Sequence, residues 1–195
     1  MRDIILASQS PRRKMLLEWA EVPFEVIVQN TEETFPAGLS MQDVAIHIAR
    51  NKALAVRTYV QEAFHAQLAK RTVLAADTIV VLGDDVIGKP KDRNDAIRIL
   101  RSLSGKQHQV ITGVVLLHDG HETSFADTTD VVFYDLTDEQ IIFYVDKYQP
   151  YDKAGAYAIQ EWIGVIGIKS VKGDFYNVMG LPVSRVVQAL HTINS

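Results

Sequence analysis

The sequence predicts a mixed α/β fold, a sheet covered by helices. Short apolar runs rich in β-branched residues are interspersed with stretches of helical period along the whole chain. Turn chemistry separates them, with Gly83-Asp84-Asp85, Ser104-Gly105 and His118-Asp119-Gly120 as the clearest breaks. No repeat, linker or low-complexity segment divides the 195 residues, so the chain fits one domain, or one domain with two lobes around a cleft.

Ile4-Ile5-Leu6-Ala7 reads as a buried strand, ended by the turn Ser8-Gln9-Ser10-Pro11. Pro11 suits a first helical turn with Ser10 as N-cap, and Arg12 to Trp19 is a helix. Phe24 to Val28 is a second strand. Ser40 to about Ala69 is a long helix whose apolar stripe is set by Val44, Ile48 and Ala55. Lys52 falls on that stripe, and Arg50 and Arg57 lie on the far side. Thr72 to Ala76 and Ile79 to Leu82 are β-rich runs, with Gly83-Asp84-Asp85 turning the chain into Val86-Ile87. Asp92 to Leu103 is an amphipathic helix ended by Ser104-Gly105. Gln109 to Leu117 and Thr123 to Tyr134 are strands joined at His118-Asp119-Gly120. Thr137 to Lys147 opens on a Thr-x-x-Gln capping pattern and is helical. Ile163 to Val171 and Asn177 to Met179 read as late strands or loops. Leu181-Pro182 opens a last helix with Val183, Val186, Val187 and Leu190 inward.

Composition excludes several functions. The chain has no cysteine, so disulfides and thiolate metal sites are ruled out. A net charge of −4 argues against a nucleic-acid-coating role, but leaves room for a local cationic pocket. The N-terminus does not read as a signal peptide, and no apolar run is long enough to span a bilayer. The expected location is the cytoplasm, with no membrane and no nucleic-acid partner. None of the six histidines forms a helical His-x-x-x-His pair, and no Walker loop or Gly-x-Ser-x-Gly is present.

Polar clusters interrupt this pattern. In Ser8-Gln9-Ser10-Pro11-Arg12-Arg13, a strand end feeds a helix N-terminus, a natural anion site. Two arginines in the first turn oppose the helix dipole, which makes sense if an anion is bound; the alternative is a Ser-capped helix with exposed arginines. Asp77 and Thr78 sit between two apolar runs, where a carboxylate is costly unless paired, metal-bound or facing a cleft. The alternative is a bend between strands. Lys89 in Gly88-Lys89-Pro90 could act as a point charge on phosphate or lie on an ordinary surface turn. Lys52 could aim into a cleft or snorkel. The small residues of Asp152-Lys153-Ala154-Gly155-Ala156-Tyr157-Ala158-Ile159-Gln160 suit tight packing near a ligand, or a plain loop. Glu32-Glu33 could hold Mg²⁺ or Mn²⁺, although acidic pairs are ordinarily solvated surface. Together these clusters supply cations for phosphate and carboxylates for a metal, the equipment of phosphoanhydride or phosphate-ester chemistry.

At this point the sequence resembles the Maf family of nucleotide pyrophosphatases over essentially its whole length. The resemblance rests on Leu6-Ala7-Ser8-Gln9-Ser10-Pro11-Arg12-Arg13, Ala76-Asp77-Thr78, Gly88-Lys89-Pro90, Leu103-Ser104-Gly105, Asp152 to Tyr157 and Gly180-Leu181-Pro182. It implies a mixed twisted sheet flanked by helices, two lobes around a nucleotide cleft, similar to inosine triphosphate pyrophosphatase. The implied reaction splits a nucleoside triphosphate into monophosphate and pyrophosphate by metal-assisted attack of water on the α-phosphorus. The resemblance makes Asp77 the general base. It places phosphate-side cations at Arg13, Lys52 and Lys89, a phosphate contact at Ser8, and the metal side (Mg, Mn or Co) at Glu33 and Asp77. Arg12, Thr78 and Gln160 match the branch acting on dTTP and UTP, whereas the 7-methyl-GTP branch carries Trp, Gln and Glu there. Asn51 and Glu161 depart from the residues many relatives carry. A homodimer is compatible with the resemblance. The rival reading is a regulatory nucleotide-binding protein of cell division with little turnover.

Overall fold

Seven strands, seven α-helices and a 3-10 turn at Ala154–Ala156 form among the described residues, 3–63, 68 and 70–193, of a computed structural model. The strands are β1 (Ile4–Leu6), β2 (Phe24–Val26), β3 (Val73–Leu82), β4 (Asp85–Ile87), β5 (Gln107–His118), β6 (His121–Phe133) and β7 (Ile168–Lys172). The helices are α1 (Pro11–Trp19), α2 (Met41–Ala63), α3 (Arg93–Leu103), α4 (Asp138–Tyr148), α5 (Trp162–Gly167), α6 (Phe175–Met179) and α7 (Val183–Ile193). The strand order is β2-β1-β3-β5-β6-β7, with β4 paired to β3. β1 runs parallel to β2 and β3, while β3–β4 and β6–β7 are antiparallel. The mixed sheet expected from the sequence is therefore present. The chain divides into two compact units, Met1–Asp77 with Thr112–Asp127 and Gly180–Ser195, and Thr78–Ile111 with Thr128–Met179. Strands β3, β5 and β6 each contribute residues to both.

In the first unit, α2 covers one face of the sheet. Ala49, Ala53, Val56 and Val60 pack on Ile5, Ala7, Val73, Ala75, Val115 and Leu117. Of the expected stripe, Val44 and Ile48 are buried and Ala55 is half-buried; the small side chains at 49 and 53 are buried beside them. Gly113 completes that approach: a Cβ there would stand 2.3 Å from the backbone of Ala45 and Ile46. Ser40 caps α2, its Oγ accepting from the Asp43 N–H at 3.1 Å. The expected continuation of this helix to Ala69 lies partly outside the described residues. Asp119 and Gly120, both at positive φ, form the two-residue link from β5 to β6.

In the second unit, both expected helix starts form. Asp92 accepts from the Asp95 N–H at 2.8 Å, and Thr137 and Gln140 form a reciprocal capping box on α4. Of Ile163 to Val171, expected as strand or loop, Ile168 to Val171 forms strand β7, but Ile163 to Gly167 lies in the helix Trp162–Gly167. Asn177 to Met179, also expected as strand or loop, lies in the helix Phe175–Met179. The β-branched residues of Ile163 to Ile168 suggest a strand, but Gly164 packs so tightly that a Cβ would stand 1.8 Å from the Ile159 carbonyl oxygen. This close local approach leaves no room for a side chain at 164, and β propensity does not decide the segment.

Candidate active site

Thr72 to Ala76 and Ile79 to Leu82, expected as separate runs, are one continuous strand through Asp77 and Thr78. Strand alternation then decides which way Asp77 points. Residues 73, 75 and 77 share a face, and Val73 and Ala75 lie under α2. Asp77 thus lies on the α2 side of β3, and Thr78 points to the opposite face. On α2, Lys52 follows Ala45 and Ala49 and precedes Val56 at helical spacing, so it shares the stripe that faces the sheet. Lys52 Nζ donates to Asp77 Oδ1 at 2.6 Å and to Glu33 Oε1 at 2.8 Å. Asp77 is 8% exposed, whereas Glu33 is exposed on the loop before α2.

The turn after β1 brings the second group. The Ala7 N–H bonds Leu74 O at 2.8 Å, and β1 and β3 run parallel, so Ser8 emerges toward the Asp77 end of β3. Ser8 Oγ accepts from Arg13 Nη1 at 3.0 Å and from the Ser10 N–H at 3.3 Å. Arg13 Nε donates to the Gly180 carbonyl at 2.8 Å. Ser10 occupies the N-cap of α1 as expected, but its side chain makes no capping bond, and no acidic residue stands in the first turn. The buried Arg13 guanidinium replaces the exposed arginine of the alternative reading, while Arg12 is half-buried.

Burial raises the Asp77 pKa above the usual carboxylate range, and the charges of Lys52 and Arg13 oppose that rise. Burial lowers the Arg13 pKa, opposed by Asp77. One unit therefore gathers Ser8, Arg13, Glu33, Lys52 and Asp77. Arg12 is on α1 of the same unit. Asn51 pairs with His47 one turn earlier on α2, at 3.2 Å.

Thr78, Lys89 and Gln160 belong to the second unit. Lys89 is exposed after β4, and the Gly155 N–H donates to the Gly88 carbonyl at 3.2 Å, joining the Gly-Lys-Pro turn to the Asp152–Gln160 segment. Gln160 is exposed at the tip of a turn. Lys153, within a motif already singled out but given no role of its own, is buried and bonds Asp152 Oδ1 at 2.7 Å; Glu161 Oε1 is 3.6 Å away. The Gly180 carbonyl was also missed as a partner of Arg13. Its signal was the Gly-Leu-Pro sequence, with Gly180 at a φ of 114°.

Residues 3–193 match the family model described as Maf-like protein. The chain belongs to the Maf family. Its relatives include the dTTP/UTP pyrophosphatase of Bacteroides thetaiotaomicron, 48% identical over 185 residues, covering 94% of this chain and 92% of that protein. The dTTP/UTP pyrophosphatase of Cytophaga hutchinsonii is 46% identical over 188 residues, covering 96% of this chain and 83% of that one. The Ham1 protein of Staphylococcus aureus superposes over 100% of both chains with a TM-score of 0.50 and 18% identity, a likeness of fold. The α/β class expected for a Maf chain stands.

Proposed function

We propose that this Maf protein hydrolyses nucleoside triphosphates, foremost dTTP and UTP, to nucleoside monophosphate and pyrophosphate. The observation that carries the reading is the buried Asp77 carboxylate held by Lys52 in the same unit as the Ser8–Arg13 pair. The names of the relatives support the triphosphate substrate and the two bases.

In the proposed reaction Asp77 takes a proton from water, whose oxygen bonds the α-phosphorus as the bond to the pyrophosphate oxygen breaks. A carboxylate with a raised pKa is a stronger base when ionised, and the charge and hydrogen bond of Lys52 favour the ionised form. Ser8 Oγ already accepts two hydrogen bonds, which leaves its own proton to donate to a phosphate oxygen. Arg13 and Lys52 offset charge on the phosphates, and Lys89 supplies a further point charge. Glu33 and Asp77 offer hard oxygen donors converging on one ammonium, and among the described residues no three histidines or carboxylates gather. That set fits Mg²⁺, Mn²⁺ or Co²⁺ bound by two carboxylates and completed by phosphate oxygens or water, rather than a full protein cage. Bound there, the ion would neutralise phosphate charge. Arg12, Thr78 and Gln160 select the base.

No helix among the described residues is long and apolar enough to cross a membrane, and we place the enzyme in the cytoplasm. Pyrophosphate release from a nucleotide panel, with and without each of the three metals, tests the reading. Metal-dependent release that is fastest from dTTP and UTP is expected. No release from any nucleotide overturns the activity, and preference for 7-methyl-GTP overturns the base assignment alone.

A further inference from the structure

Gln160 lies in a four-residue turn, Ala158 to Glu161, closed by the Glu161 N–H donating to the Ala158 carbonyl at 3.1 Å. Both ends of that turn meet one hydroxyl. The Ala158 N–H donates to Tyr144 Oη at 3.2 Å, and Tyr144 Oη donates to Glu161 Oε2. Tyr144 is fully buried on α4 and stacks on Tyr148, with ring centroids 5.0 Å apart. The neighbouring Ile159 is buried, its carbonyl pressed on Gly164. Lys153, 3.6 Å from Glu161, offsets the carboxylate's charge. Three of the four turn residues are thus anchored, and only Gln160 projects into solvent.

We propose that Tyr144 and Glu161 are positioning residues for base selection: one hydroxyl clamps the turn so that the Gln160 amide is presented in a single orientation. This rests on the reading of Gln160 as a base-selecting residue. An amide discriminates only if its donor and acceptor ends are held in register with the base edge. Glu161, a departure from the residue many relatives carry, is then part of the selecting apparatus of this chain.

The test compares kcat and KM for dTTP, UTP and 7-methyl-GTP in the full-length protein carrying Gln160→Ala, Tyr144→Phe, Glu161→Gln, or Tyr144→Phe with Gln160→Ala. Gln160→Ala is expected to cut the pyrimidine preference about tenfold, through KM. Tyr144→Phe, which removes the hydroxyl at nearly constant volume, is expected to lower the same preference about as much, with kcat on dTTP within about twofold. The double variant is expected to lose no more than Gln160→Ala alone, because the clamp acts only through Gln160. Glu161→Gln keeps an acceptor but no charge and is expected to fall in between; it decides the matter if Tyr144→Phe fails to fold. Selectivity lost in Gln160→Ala but unchanged in a folded Tyr144→Phe overturns the clamp, as do additive losses in the double variant. Unchanged selectivity in Gln160→Ala overturns the reading of Gln160 itself, and the clamp with it.

Discussion

In the first unit Lys52 holds both Asp77 and Glu33 by charge; Lys52 and Asp77 ride on packed helix and strand, and Glu33 on the exposed loop before that helix. In the second unit Gln160 makes no such pairing; a turn holds it, and an uncharged hydroxyl holds the turn. The difference matches the two tasks proposed. Proton transfer and charge neutralisation need fields that are already oriented when substrate arrives, which the Lys52–Asp77 pair on packed helix and strand supplies. Reading a base edge needs an amide at the right angle, which the proposed clamp supplies through a turn whose one carboxylate, Glu161, is offset by Lys153.

The largest expected effect falls on the charged unit. Asp77→Asn preserves shape and removes the base, so kcat should fall about 10³-fold. The protein should stay folded. Burial raises the folded-state pKa of Asp77, so its ionised form costs stability once pH exceeds that value, and asparagine removes the cost. Steady-state kinetics with a thermal melt check both statements. A kcat within tenfold of the native value would take Asp77 out of the chemistry.

Lys52→Met comes next. Loss of one charge-assisted bond should lower kcat/KM about 10- to 100-fold. The pH profile is the sharper readout. Lys52 lowers the Asp77 pKa by charge and hydrogen bond, so its removal lets that pKa rise. Activity needs the ionised carboxylate, so the acid limb of the kcat/KM profile should move to higher pH. An unmoved limb means that Lys52 does not act on the base during turnover.

The charged unit also shows what the sequence could and could not reveal. Ser8, Arg13 and Asp77 stood out because polar residues broke apolar runs. Strand–turn–helix at Ile4 to Trp19 and the capping box at Thr137 were legible because their signals are local. The pairing of Lys52 with Asp77 was not, since it depends on α2 lying on the face of β3 shared by Val73, Ala75 and Asp77. The Arg13–Gly180 bond spans 167 positions and leaves no local signature. Of Ile163 to Val171, expected as strand or loop, only the part from Ile168 is a strand; the β-branched residues before it carry the same signal, and the close approach of Gly164 to the Ile159 carbonyl leaves no mark in their pattern.

Gly113 is where the packing behind that pairing can be tested. Gly113→Ala forces a methyl against the α2 backbone, which cannot yield as a flexible side chain can. A loss of about 2 kcal/mol in stability is expected. Any shift of α2 also moves Lys52, so kcat/KM on dTTP should fall along with the urea midpoint. Stability lost with full activity retained would show that the Lys52–Asp77 geometry tolerates movement of its helix.

The second unit has its own buried titratable group, and its pH response runs the other way. His108 Nε2 lies 2.7 Å from Tyr157 Oη, among the rings of Phe133 and Tyr157. Burial lowers its pKa to about 4 and pushes that of Tyr157 up, so both are neutral in the folded protein. An unfolded histidine titrates near 6.5, so between about 6.5 and 4 the unfolded chain binds the extra proton. Folding stability should therefore fall with pH across that window, by up to about 1.4 kcal/mol per pH unit from this group. Asp77 acts in the opposite sense, weakening the fold as pH rises through its own raised pKa. His108→Gln keeps a polar partner for Tyr157 but cannot titrate. Urea unfolding from pH 7 to 4 should show a shallower decline in that variant than in the native chain. An identical slope would mean that His108 is protonated in the fold, and that the second unit is not held together by neutral groups.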